Sequence, residues 1–335
     1  MKKTLYFCCL TFLGAQVQVQ AQDEIEQFLQ GSQEDLNTYL GNYVKPAAKG
    51  FMYSMGSGWA HTAETHKTFG FDIKFGVSAS AVPSGYETFK FNNSDYSKTR
   101  LANTTGNASA DLPTVFGPVE TDATLEIYEV VNGDVYIIDE MNVPPGADIP
   151  IKYVPAPSVQ ASLGLPAGFE ITGRFIPKLE IDDTEVSQWG VGLKHNLKQF
   201  IPVVNKLPFT FSAMAAYNQL EAAYYIERNM GQYGTLDVKT WTFQGMVSKQ
   251  FAVLTLYGAA GYSTGESDFN ILGEYEVNTP EGTETFEDPV SLQYENKGAT
   301  ATLGARIKLG PIFINGDYTF QEFNTINVGL GVSIN

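Results

Sequence analysis

Residues 299–335 read ATATLGARIKLGPIFINGDYTFQEFNTINVGLGVSIN, and the alternation in this stretch decides the fold. From Ala299 to Leu309 the odd positions are Ala299, Ala301, Leu303, Ala305, Ile307 and Leu309, and the even ones Thr300, Thr302, Gly304, Arg306 and Lys308. After Gly310-Pro311, the residues Ile312, Ile314, Tyr318 and Phe320 alternate with Asn315, Asp317, Thr319 and Gln321. After another short break, Ile326, Val328, Leu330, Val332 and Ile334 alternate with Asn327, Gly329, Gly331 and Ser333. A period of two gives a strand one apolar and one polar face. Three such strands on minimal turns form an antiparallel meander.

The pattern recurs upstream. Phe71, Ile73, Phe75 and Val77 alternate with Asp72, Lys74, Gly76 and Ser78. Val159, Ala161 and Leu163 alternate with Ser158, Gln160 and Ser162, and Phe169, Ile171 and Phe175 with Glu170, Thr172 and Arg174. Trp189, Val191 and Leu193 follow with Gly190, Gly192 and Lys194 between them; Phe209 to Tyr217, Trp241 to Val247 and Leu254 to Tyr262 repeat the scheme. That makes ten strong strands, one at 69–81 and nine from 157 onward. The intervals 82–156 and 263–298 read as long loops, the first with a hairpin at Asn132-Gly133.

The N-terminus begins Met1-Lys2-Lys3, continues with the apolar run Leu5 to Ala15 and reaches Val19-Gln20-Ala21. This is the layout of a signal peptide, 1–21, cleaved after about Ala21; a membrane helix needs about 20 apolar residues. Cys8 and Cys9 lie within it, so the exported chain is expected to hold no disulfide, no thiolate nucleophile and no cysteine metal site. Losing Lys2 and Lys3 takes the formal charge from −16 to −18. Such an acidic chain lacks the general electrostatic attraction to nucleic acid. Residues 22–49 are the one helical region, with Ile25, Phe28, Leu29, Leu36, Tyr39, Leu40 and Tyr43 at amphipathic spacing. Gly31-Ser32 splits it, Ser32 with Asp35 resembles a cap, and Pro46 is expected to end it. The glycine-rich stretch 50–66 reads as a plug or hatch, or as a first strand.

Four features put the apolar face outside. The clear strands run roughly 9 to 13 residues, near the 9 to 11 that cross a bilayer and longer than the usual 5 to 6. Breaks alternate between tight (Gly310-Pro311, Gln250-Phe251, Pro166 to Gly168) and longer (263–298, 223–235, 82–156), as in barrels with short periplasmic turns and long outer loops. Charge avoids the apolar face, where lipid would penalise it: Asp72, Lys74, Glu170, Arg174, Lys194, Arg306, Lys308 and Asp317 all fall on the polar one and are expected to line the lumen. Trp189, Trp241, Tyr217, Tyr257, Tyr262 and Tyr318 lie near strand ends, as in an aromatic girdle. Acidic residues collect in the loops: no Lys or Arg occurs from Leu101 to Ile151 or from Gln250 to Asn296. The expected fold is therefore all-β, a transmembrane antiparallel up-and-down β-barrel spanning 67–335. It should have about 12 strands, within roughly 10 to 14, and both termini at the periplasmic face. Charge placed at Leu330 should block assembly, whereas charge at Gly304 or Thr302 should be better tolerated.

The chemistry-bearing residues are few. His61, Glu64 and His66 invite a metal reading, but their spacing is neither helical zinc pattern; Trp59, His61 and His66 are instead candidates for plug or hatch. Neither a metal site nor a cofactor is expected. His195 belongs to the outward face near a periplasmic end, and no glycine-flanked nucleophile serine accompanies it, so no enzyme activity is expected. The inward basic residues either favour anionic solutes or pair with Asp72, Glu170 and Asp317.

Two blocks carry a family resemblance. Gly58-Trp59-x-x-Thr62-Ala63-x-x-His66-x-x-x-Gly70-Phe71-Asp72 resembles an uncharacterised family of Bacteroidota outer-membrane barrels classed as a domain of unknown function. Gly190 to Leu197, with Ile201-Pro202 and Leu207-Pro208-Phe209, is loosely similar to the strand–turn–strand pattern of the long-chain fatty-acid transporter group; that group's asparagine-proline-alanine hatch motif is absent. The resemblance implies the outer membrane of a Gram-negative bacterium, with its lipid and the barrel-assembly machinery as partners. The expected function is a selective channel for a small hydrophobic or amphipathic solute; the alternative is a structural or surface-interaction barrel with a closed lumen.

Overall fold

The computed structural model describes residues 20–149, 151–198, 208–279 and 282–334. The signal peptide with Cys8 and Cys9 lies, but for its last two residues, outside the described residues. Three helices come first: α1 (Gln20–Gly31), α2 (Gln33–Tyr43) and α3 (Lys45–Gly56). Ten strands then close a barrel: β1 (Phe71–Ala81), β7 (Tyr153–Gly164), β8 (Phe169–Ile181), β9 (Thr184–Asn196), β10 (Thr210–Glu227), β11 (Gln232–Phe251), β12 (Leu254–Leu272), β15 (Val290–Leu309), β16 (Ile312–Phe320) and β17 (Thr325–Ile334). All its pairings are antiparallel, and β1 meets β17 along ten residue pairs from Phe71↔Ile334 to Ser80↔Thr325. No helix of the described residues is long and apolar enough to cross a membrane.

The inside-out assignment holds: Leu303 and Leu330 are 65% and 52% exposed on the outer face, while Asp72 and Arg174 are 1% and 2% exposed on the inner one. Outward Trp189, Tyr217 and Trp241 form a run of ring contacts, with centroids 5.3 Å and 4.9 Å apart. From Phe251 at the short-turn end to Trp241 the strand rises ten residues, roughly 25 Å at the usual tilt, the height of a hydrocarbon band. Tyr257 is the exception in the expected girdle. It points inward, 5% exposed, because it follows outward Leu256 by one residue.

Ten strands, rather than twelve, close the barrel because the long intervals add none that span. The segment 82–156 folds as two small sheets, β2 (Thr88–Asn92) with β4 (Ser109–Pro113), and β3 (Thr99–Leu101) with β5 (Thr124–Val131) and β6 (Asp134–Asn142). The interval 263–298 is only partly a loop, as is 223–235. β10, β11, β12 and β15 run on through them as strands of 18 to 20 residues, about 60 Å or more of chain, and the hairpin β13 (Glu274–Thr279) with β14 (Gly282–Glu287) tops the last pair. The alternation fades there for a physical reason. Above the girdle the outer face meets water and carries Glu221, Asp237, Lys239, Glu266 and Asp268. The inner face turns apolar instead, with Val154, Ala156, Val186, Leu220 and Val238 packed on α3.

The N-terminal part corrects three expectations. Pro46 starts α3 instead of ending the helical region, since proline is tolerated in a first turn where its missing N–H has no partner to lose. Residues 50–56 are helix, so the first-strand reading of 50–66 fails. Both barrel ends, Phe71 and Ile334, do lie at the short-turn end, but the chain before Phe71 does not stay there. It passes back through the barrel interior. α3 touches β1, β7, β11, β12 and β15, strands on opposite walls, and α1 and α2 sit beyond the long-loop rim. There Phe28, Leu29, Leu36 and Tyr39 share one core with Phe91, Leu125, Ile127, Tyr275 and Val290. Ser32 caps α2 by accepting from the Asp35 N–H, and the Asp35 carboxylate accepts from the backbone N–H groups of Ser97 and Lys98, both at 2.8 Å.

Candidate functional site

The site is the lumen and the segment Ser57–Gly70 that threads it. Near the long-loop rim the C-terminus of α3 points down the bore with unsatisfied carbonyls and negative dipole, and the wall supplies the donors. Arg174 donates to the carbonyls of Met55 (2.8 Å) and Ser57 (3.0 Å), and Thr242 to that of Gly56 (2.8 Å). Lys74 donates to the Gly58 carbonyl at 2.7 Å. Gly58 has a φ of +71°, and a Cβ there would fall 2.3 Å from Asn327 Oδ1, so the turn into the lumen requires glycine. Trp59 follows, its ring 4.0 Å from the Arg174 guanidinium carbon and its carbonyl accepting from Gln160 at 3.2 Å. Gly190 and Gly192 leave the room it occupies.

Lower down, His61 Nε2 lies 3.0 Å from Asp72 Oδ2, and Lys194 donates to the carbonyls of Thr62 (3.3 Å) and Glu64 (2.9 Å). Ser248 binds the Ala63 N–H at 3.1 Å. His66 binds Glu170 twice, through its backbone N–H (2.9 Å) and Nδ1 (2.8 Å), and its Nε2 is 3.4 Å from Asp72. Lys194 pairs with Glu170 at 2.8 Å. One theme runs through these contacts. Five wall side chains (Arg174, Thr242, Lys74, Gln160 and Lys194) donate to main-chain carbonyls of the segment between Met55 and Glu64. Between Trp59, Tyr257, Asp317 and Gln321 a cavity of about 20 Å³ remains, room for one water.

All eight lumen residues expected from the sequence point inward, and Trp59, His61 and His66 lie buried among them. Of the two readings of the inward basic residues, ion pairing accounts for one of the five. Among the described residues Lys194 is the only lumen cation with a carboxylate within 4 Å; Lys74, Arg174, Arg306 and Lys308 have none. Asp317 takes its bonds from Tyr257 (2.8 Å) and Asn327 (3.0 Å) instead. Arg306 lies over the Phe313 ring at 4.2 Å with Nε and one Nη unpartnered, and Lys308 donates to Ser333 at 3.0 Å. His195 faces outward at the short-turn end, stacked on Phe169 at 3.8 Å. At Gly304 a Cβ would fall 2.3 Å from Tyr257 Cζ, so a side chain there requires Tyr257 to move, and Thr302 is the better position for an inward charge. Sequence reasoning missed Thr242, Ser248 and Gln160, whose polar, inward parity was visible but whose partners lie about 100 or more residues away.

Two contacts give direct checks. Ser54 Oγ lies 2.8 Å from Ser80 Oγ, joining α3 to β1. The Ser54→Cys/Ser80→Cys pair should oxidise to a disulfide in the membrane, read as loss of both free thiols; persistent thiols would remove α3 from the bore. At the rim, Glu322 between β16 and β17 accepts from Lys49 (2.7 Å) and Tyr53 (2.6 Å), and also from Tyr86. Burial alone would raise its pKa, but these hydrogen bonds outweigh that and bring it from 4.5 down to about 2. A depressed carboxylate contributes stability that is whole above the unfolded value and is lost as pH falls through the folded one. The melting temperature should therefore fall between about pH 4.5 and 2, and Glu322→Gln should flatten that limb; with Glu322 42% exposed the change is small.

Ten antiparallel strands closed into a ring, with an apolar exterior, define a transmembrane β-barrel, and the chain's own segment Ser57–Gly70 runs through its interior. The chain belongs to a family of unknown function (DUF6588), which matches residues 1–334. No curated protein matches it in sequence. Among solved structures, Ail, the attachment invasion locus protein of Yersinia pestis, is 8% identical over 80% of this chain and 99% of its own, with a TM-score of 0.26. The translocator domain of autotransporter NalP from Neisseria meningitidis is 8% identical over 81% and 90%, with a TM-score of 0.32.

Proposed function

We propose that this is an outer-membrane protein of a Gram-negative bacterium, in the first instance one of the Bacteroidota whose barrels the Gly58–Asp72 block resembles. It is exported on a cleaved signal peptide and inserted by the barrel-assembly machinery. Its barrel is a structural, surface-interaction element: the lumen is closed and the folded cap stands on the outside. The observation that carries this reading is the occupied bore, where the segment between Met55 and His66 is held by wall side chains and the cavity beside Trp59 has room for one water. A barrel of this width is about 20 Å across its backbone, from the strand spacing and tilt, and one chain with its side chains fills it.

A second reading, selective passage of a small amphipathic solute in the manner of the long-chain fatty-acid transporter group, is favoured by the four lumen cations without a carboxylate partner. Planar-bilayer recording separates the two. The full-length protein should show no conductance steps, and a variant lacking residues 23–66, verified as a heat-modifiable barrel, should show them. Steady conductance by the full-length protein would overturn the closed-lumen reading; a truncated barrel that stays shut would mean the segment is not what closes it.

A further inference from the structure

Resting on the outer-membrane reading, we infer that this barrel carries its own N-terminal segment across the membrane, so that α1 and α2 are displayed on the cell surface. Three independent observations converge on it. The first is the path of the chain. Strand β1 starts at the short-turn end, α1 and α2 pack beyond the opposite rim, and the connection between them lies inside the bore. Short turns stay on the side from which a barrel inserts, so the N-terminal helices have crossed.

The second is the order of events that the dimensions impose. Each helix is about 10–12 Å wide with its side chains, so a bore of about 20 Å backbone diameter passes one helix and not a packed pair. The segment must cross before the cap assembles. The cap cannot assemble earlier, because its core is shared between Phe28, Leu36 and Tyr39 of the helices and Leu125, Ile127 and Tyr275 of the loops. Burial of these side chains on the outer side, where they stand exposed until then, gives the crossing a direction.

The third is the chemistry of the wall. Arg174, Thr242, Lys74, Gln160 and Lys194 all donate to carbonyl oxygens of the main chain. Such donors read a polypeptide backbone largely without regard to its side chains. The ligand class that this lumen is built to hold is therefore an extended peptide, and here the peptide is its own.

Single cysteines test the inference in the full-length chain with Cys8→Ala and Cys9→Ala. Exposed Glu34→Cys on α2, Asp134→Cys on the long-loop side and Val253→Cys in a short turn are treated on intact cells with a membrane-impermeant maleimide. Glu34→Cys should label within twofold of Asp134→Cys, while Val253→Cys labels at least tenfold less until the cells are permeabilised. Labelling of Asp134→Cys with Glu34→Cys protected would overturn self-export and leave the outer-membrane reading standing. Protection of Asp134→Cys, or labelling of Val253→Cys on intact cells, would overturn both.

Discussion

Leu330→Arg should abolish accumulation of the assembled barrel. Leu330 lies mid-strand in β17, faces outward between Val328 and Val332, and is paired with Phe75 of β1 and Ile314 of β16. Arginine near the bilayer midplane of a barrel costs about 2–4 kcal/mol, and the position sits on the closing seam, where the cost is met before the ring is complete. Thr302→Lys is the matched control: Thr302 faces inward, lines the small cavity and meets a threonine, Thr319, at 2.9 Å. The measurement is the fraction of heat-modifiable protein in the membrane. Leu330→Arg should lose most of it and Thr302→Lys keep most of it. Equal behaviour of the two would mean that the faces have been assigned wrongly.

Glu170→Ala should be the most damaging change inside the lumen. It leaves Lys194, 3% exposed, without its carboxylate and removes both bonds to His66. Deleting one partner of a buried pair typically costs about 3–5 kcal/mol, because the other charge stays behind uncompensated. Lys194→Met should cost a similar amount and release the Thr62 and Glu64 carbonyls as well. The double variant should cost less than the sum by about 0.5–3 kcal/mol, the usual coupling of contacting residues. Melting of the heat-modifiable form gives all four corners of the cycle. Strict additivity would show that the pair does not hold the segment.

The barrel was legible because lipid imposes one rule on every outward position. Leu303, Ile314 and Leu330 declare their face by type alone, and Arg306, Lys308 and Asp317 declare the other. The rule stops at the membrane boundary: beyond Tyr262 the outward residues become Glu266 and Asp268 while inward Ile271 joins the cap core, so strand in the interval 263–298 carries the pattern of a loop. The path of the N-terminal segment was hidden for a different reason. Trp59 reads as a plug residue by its place in a glycine-rich stretch, but Arg174, which captures it, lies more than 100 residues on, and nothing local says that a helix C-terminus will be capped by a barrel wall. Pro46 misled because the same residue that ends one helix can begin the next.

A closed ring around a chain with a folded mass on one side is a rotaxane. The barrel is the ring, Ser57–Gly70 the axle, and the cap a stopper wider than the bore. At the other end the axle is joined covalently to the ring, since Gly70 runs into β1. Severing every hydrogen bond in the lumen would loosen the axle without releasing it. Withdrawal would require the stopper to come apart first, so cap unfolding and emptying of the bore are coupled. Force applied to the cap from outside is passed down the axle to Phe71 and the ten-pair seam with β17, where it is borne in shear.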